Sequence, residues 1–112
     1  MPNASEPPKT AELSLIRTND EGLLEVQLAG ELDMTAAFKI EPEAERLLAG
    51  HGVRRFLVDL STVTFVDSAG LGTLLAMRQR SQDLGIEFAL ANASAPVRRM
   101  LVLSGTSSML AD

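Results

Sequence analysis

Residues Val53–Arg80 read VRRFLVDLSTVTFVDSAGLGTLLAMRQR, and the change of period within them decides the fold. Phe56, Val58 and Leu60 alternate with Leu57 and Asp59. A period of two with β-branched and aromatic residues predicts a pleated, mostly buried strand. Ser61-Thr62 is expected to end that strand with turn-forming hydroxyls, and a second short apolar run, Val63 to Val66, leads into Asp67-Ser68-Ala69-Gly70. From Ala69 onward the period becomes helical, with Leu71, Leu74, Leu75 and Met77 spaced to give one apolar face. Either Asp67 or Ser68 is placed to cap this helix, whose first N–H groups lack intrahelical partners. Gly70 and Gly72 weaken a helix's first turn. They also leave room for another molecule to approach the backbone closely.

Toward the N-terminus, residues 1–10 (MPNASEPPKT) hold three prolines and little to bury, which predicts a mobile tail ahead of a domain over residues 11–112. Leu13 and Leu15 alternate with Ser14 and Ile16 as a first strand. Asn19-Asp20-Glu21-Gly22 is a turn signal, and Leu24, Val26 and Leu28 alternate with Glu25 and Gln27 as an antiparallel second strand. Gly30-Glu31-Leu32-Asp33 then reads as a loop, with Asp33 or Thr35 capping the next helix. Thr35 to Ala49 has helical spacing, but Pro42 inside a helix removes a hydrogen bond and costs roughly 3 kcal/mol. The expectation is a break, with a short turn near Thr35–Lys39 and the main helix starting at about Pro42. Gly50-His51-Gly52 stops it.

Toward the C-terminus, Gly85 is placed as a left-handed helix stop. Ile86, Phe88 and Leu90 alternate as a further strand, and Asn92-Ala93-Ser94 is a loop. Pro96 starts a last helix that carries Val97, Met100 and Leu101 on one face and ends at Gly105. The closing TSSMLAD offers only a short element. The order of elements implies an α/β domain with a mixed sheet of four to five strands. Right-handed crossovers between parallel strands place the helices mainly on one face.

Composition narrows the function classes. The chain has 112 residues, enough for one domain and too few for two. Ten basic residues stand against fifteen acidic ones. That balance opposes direct nucleic-acid binding, which relies on clustered Lys and Arg; Arg54-Arg55 and Arg98-Arg99 read as solvated surface charge. With no cysteine, disulfides, thiolate nucleophiles and Cys-based metal sites are excluded, and no cofactor or metal is called for. The N-terminus lacks the basic and apolar regions of a secretory signal, and no apolar run is long enough for membrane insertion. The expectation is a cytoplasmic protein.

Ser68 is the residue with chemistry to place. As a hydrolytic nucleophile it fails, because a nucleophile elbow needs Gly two residues earlier, where Val66 stands, and the lone His51 lies in a distant turn. As part of a phosphate-binding loop it fails too, since the glycine run is short and the lysine is missing. Helix capping and a phosphorylation switch remain.

FVDSAGLGTLL at Phe65–Leu75, together with GELDMTAA at Gly30–Ala37, resembles the STAS-domain family, most closely the bacterial anti-sigma-factor antagonists. The likeness runs from about Ala11 to Gly105. It implies a non-enzymatic binding protein whose Ser68 is phosphorylated by a partner that is both anti-sigma factor and ATP-binding serine kinase, and restored by a phosphoserine phosphatase. It further implies that Asp33 lies beside Ser68, and that Asp33, Asp67, Ser68, Ala69, Gly70, Leu71 and Gly72 form the partner-binding surface. The alternative within the same resemblance is a soluble STAS accessory subunit of a transport or stress-signalling complex.

Overall fold

The computed structural model describes residues 9–50 and 52–111. Most of the expected tail (residues 1–8) and His51 lie outside the described residues. Lys9 and Thr10, the last two residues of that expected tail, are paired with the sheet: Glu31 N–H donates to the Lys9 carbonyl at 2.8 Å, and Thr10 bridges Glu31.

Among the described residues, four strands and three helices follow in the order β1 (Glu12–Thr18), β2 (Leu23–Leu32), α1 (Met34–Leu48), β3 (Arg55–Val66), α2 (Ser68–Asp83), β4 (Glu87–Ala91) and α3 (Ala95–Leu103). A 3-10 turn at Ser107–Met109 ends the chain's regular structure. The sheet is mixed, in the order β1-β2-β3-β4. The hairpin β1–β2 is antiparallel, and β2–β3 and β3–β4 are parallel. The α/β architecture read from the sequence is therefore the observed one, with four strands.

The core grows from the alternation in β2. Leu24, Val26, Leu28 and Leu32 are buried, and Leu24 and Val26 pair in register with Phe56 and Val58. Ile40, Ala44 and Leu48 of α1, Leu74 and Met77 of α2, and Val97 and Leu101 of α3 join the same cluster. Each leucine, isoleucine, valine or methionine among them, fully removed from water, contributes about 1.5–3 kcal/mol. Two hydroxyls, Thr73 and Ser81, are also buried. They donate back to the Ala69 and Met77 carbonyls, which satisfies them locally.

Three local expectations are corrected. First, α1 is one unbroken helix with Pro42 inside it. Ala36, Ile40, Ala44 and Leu48 bury one continuous stripe through it, and that packing outweighs the lost bond. Phe38, whose carbonyl loses its donor to the proline, lies on the helix's exposed side. Second, Gly30-Glu31-Leu32 is strand, not loop. It pairs with β3 on one side and with Lys9–Ala11 on the other. Third, Ser61-Thr62 does not end a strand. β3 runs on to Val66, and two register shifts against β2 give it one extra residue at each place. These bulges absorb residues whose side chains look like turn formers. Ser61 N–H and Oγ–H both donate to Asp59 Oδ1, and Thr62 Oγ1 donates to the Leu28 carbonyl.

Candidate functional site

β2 and β3 run side by side to their last residues, Leu32 opposite Val66. Both strands thus stop at the same end of the sheet, and each passes through an aspartate into a helix. Asp33 caps α1 by accepting the Ala36 N–H at 2.9 Å, and Asp67 caps α2 by accepting the Gly70 N–H at 2.8 Å. The two cap residues share an extended backbone, with φ/ψ of −120/−171° and −98/−173°.

The two helix starts interlock through one carbonyl. Asp67 N–H donates to the Leu32 carbonyl at 3.3 Å, and Gly70 lies so close that a Cβ there would fall 1.9 Å from the same oxygen. The close approach that Gly70 permits is thus made by Leu32 of the same chain. Gly72, by contrast, is exposed and faces open space.

Because Asp67 is the cap, Ser68 is the first residue of α2 proper. Capping by Ser68 is thereby corrected: the extended backbone and the accepted N–H belong to the preceding residue. Ser68 is exposed, and its hydroxyl has no hydrogen bond among the described residues. Three other hydroxyls, by contrast, are engaged: Ser61 with Asp59, Thr62 with Leu28, and buried Ser81 with Met77.

Ser68 stands at the edge of an open groove of about 470 Å³ between α2 and α3. Val66, Leu71, Pro96, Met100 and Leu103 supply its apolar lining, and Asp67 and Arg99 are its charged residues. Leu103 is 80% exposed, far more than a leucine held by the core. Met34, the α1 counterpart of Ser68, and Phe38 one turn on are exposed as well. Asp33, Asp67, Ser68, Ala69, Leu71 and Gly72 fall on or beside this end of the sheet, and Gly70 is buried beneath them.

The α3 wall of the groove escaped sequence reasoning. The apolar face assigned to α3 was Val97, Met100 and Leu101; Leu103, an apolar residue off that face, was the available signal. Asp59 escaped as well. It accepts from Ser61 and, at 2.7 Å, from Asn92 Nδ2, tying the β3 bulge to the turn that launches α3. Asn92 holds a left-handed φ of 58° there, a conformation that asparagine tolerates. Burial alone would raise the Asp59 pKa. The bonds from the Ser61 and Asn92 side chains, the Ser61 backbone and Gln27 outweigh it and hold the carboxyl below its ordinary value.

Among the described residues no cluster of acidic or histidine side chains could hold a metal ion, and no helix is long and apolar enough to cross a membrane.

Known proteins share the sequence pattern and the fold. The STAS domain pattern matches residues 15–111. A STAS-domain containing protein of Pseudomonas aeruginosa is 35% identical over 72% of this chain and 78% of its own. The anti-sigma-B factor antagonist of Staphylococcus aureus is 30% identical over 88% of this chain and 90% of its own. The anti-sigma factor antagonist SpoIIAA of Bacillus superposes in its unphosphorylated form with a TM-score of 0.74 at 22% identity, over 91% of this chain and 86% of that one. Its phosphorylated form superposes at 0.67 and 22%, over 91% and 89%. The antagonists are binding proteins, not enzymes. With its sheet order, its paired aspartate-capped helix starts and these relatives, the chain belongs to the STAS-domain family, among relatives named as anti-sigma factor antagonists.

Proposed function

We propose that this chain is a phosphorylation-switched anti-sigma factor antagonist acting in the cytoplasm. Unphosphorylated, it binds an anti-sigma factor that is also a serine kinase, and so releases a sigma factor for transcription. Ser68 is the phosphate acceptor. The observation that carries this reading is that Asp67, not Ser68, caps α2. Ser68 is therefore an exposed hydroxyl with no structural task, at the junction of two helix starts. The relatives' names supply the partner, and SpoIIAA is a relative by fold that exists in a phosphorylated form.

In the forward step the Ser68 oxygen bonds to the γ-phosphorus of the kinase's ATP. The bond to the bridging oxygen breaks, ADP departs, and the hydroxyl proton passes to a base on the kinase. A phosphatase returns the serine by transferring the phosphoryl group to water, which releases inorganic phosphate. The switch works through the interface. A phosphate brings about 1.5 to 2 negative charges to a surface that already holds Asp67 and Asp33. Burying such a group without a cationic partner costs several kcal/mol, and each 1.4 kcal/mol is tenfold in affinity.

Intact mass after incubation with ATP and a candidate kinase tests the reading, with phosphopeptide mapping of the product. One phosphate on Ser68, absent from Ser68→Ala, is the expected result, and Ser68→Ala keeps its affinity for the anti-sigma factor. A phosphate on Ser61, Thr62 or Ser81, or none at all, overturns it. Capture of a membrane-transport subunit in place of a kinase would move the chain to the accessory-subunit class.

A further inference from the structure

We propose that phosphoserine at position 68 is bound by Arg99 of α3, so that phosphorylation closes the mouth of the groove with an ion pair between α2 and α3. The inference rests on Ser68 being the acceptor and adds how the switched state is built. Ser68 and Arg99 line opposite walls of the same groove, at the start of α2 and on α3. Arg17, Arg46 and Arg80 are paired with Glu25, Glu43 and Glu45. The Arg99 guanidinium has no hydrogen bond or ion pair among the described residues, so its fork of donors is uncommitted.

The surroundings of Ser68 make that fork the matching partner. Asp67 is adjacent in sequence, and Asp33 caps the neighbouring helix; both repel a phosphate. The start of α2 offers partial positive charge, but the Gly70 N–H already serves Asp67. Arg99 is the cationic residue among those lining the groove. An arginine can meet phosphate oxygens through two parallel N–H donors, a stronger and more directional contact than a point charge gives. Such a pair would lie over Leu71, Met100 and Leu103. The apolar floor is then withdrawn from a partner at the same time as charge is added.

The test needs no kinase: phosphoserine is installed at position 68 of the whole chain during translation, and its titration is followed by 31P NMR. With Arg99 in place, the second ionisation has its midpoint lower by about half a pH unit than in Arg99→Gln. The gap narrows in about 1 M salt, and Arg99→Lys falls between the two. In the wild-type chain the Arg99 Nε–H resonance moves when Ser68 is replaced by phosphoserine. Superimposable titrations, or an Arg99 resonance that does not move, overturn the proposal. The two readings fail separately: a kinase that ignores Ser68 defeats the function, while the installed phosphate still reports on Arg99.

Discussion

The starts of α1 and α2 are built alike and put to different uses. In each, a strand ends in an aspartate that caps through the N–H three residues on: Asp33 with Ala36, Asp67 with Gly70. The third helical position is buried in both. In α1 it carries a methyl group packed in the core. In α2 it carries none, because the Leu32 carbonyl occupies the space. The first helical position is exposed in both, and there α1 has Met34 where α2 has Ser68. One start is thus finished with an apolar residue, the other with an exposed hydroxyl that bonds nothing among the described residues. The cap is general scaffolding, and what distinguishes the site is set at the positions just after it.

Exchanging the third helical residues should separate the two starts most sharply. Gly70→Ala places a methyl group on a backbone oxygen and should cost about 3 kcal/mol or more, because a main-chain atom cannot step aside cheaply. Ala36→Gly should cost about 1 kcal/mol through helix propensity and lost burial. Urea denaturation of both variants measures the difference, and equal losses would mean that the interlock is relaxed in solution.

The ninth helical position offers the next contrast, Pro42 in α1 against Ala76 in α2. Pro42→Ala restores a backbone donor beneath the Phe38 carbonyl. It should stabilise the protein by about 2 kcal/mol after the proline's stiffening of the unfolded chain is discounted. A variant no more stable than wild type would mean that the helix around Pro42 is already fully compensated.

Removing the caps should treat the two starts equally. Asp33→Ala and Asp67→Ala should each cost about 1 kcal/mol, whereas Ser68→Ala should cost less than about 0.5 kcal/mol, since Ser68 bonds no backbone group. Asp33→Asn keeps the cap and so the stability. If Asp33 also takes part in recognition, that variant loses phosphorylation rate or partner affinity; unchanged kinetics and binding would leave it a structural residue.

The smallest effect concerns Asp59, which holds α3 in place from outside both helix starts. Its carboxyl is held below the ordinary value of 3.8. Near that value the folded state therefore binds fewer protons than the unfolded one. The contribution is complete above 3.8 and drains away as pH falls through the lower folded value. Asp59→Asn should lose less stability than wild type between neutrality and about pH 3 in urea melts. Parallel losses would remove Asp59 from the acid response.

Particular residues show how far the sequence could be read. The alternation of Leu24, Val26 and Leu28 and the change of period after Val66 were local signals, and both strands and α2 formed where those signals lay. Gly30, Ser61-Thr62 and Pro42 are residues with the chemistry of turns and breaks. Their local preferences were outweighed by sheet pairing and by the buried stripe of α1, forces that depend on residues distant in sequence. The aspartates and Ser68 could be found from their motifs. The rest of the groove could not, because Arg99 and Leu103 come to share it with Ser68 only through the parallel crossover that sets α3 beside α2.

The two bulges in β3 also bear on insertions and deletions. Core-facing residues in β3 fall on even numbers at Phe56, Val58 and Leu60, on an odd number at Val63, and on an even number again at Val66. Each extra residue reverses the parity, and the second reversal undoes the first. Deleting Thr64 alone would remove the second bulge and leave Val63 and Val66 two residues apart, both still on the core face. Deleting Leu57, in the regularly paired stretch between Phe56 and Val58, has no bulge to remove and would turn one of those neighbours outward. A Thr64 deletion that melts higher than a Leu57 deletion would show that the bulges are where this strand can give up a residue, and equal losses would show that they are not.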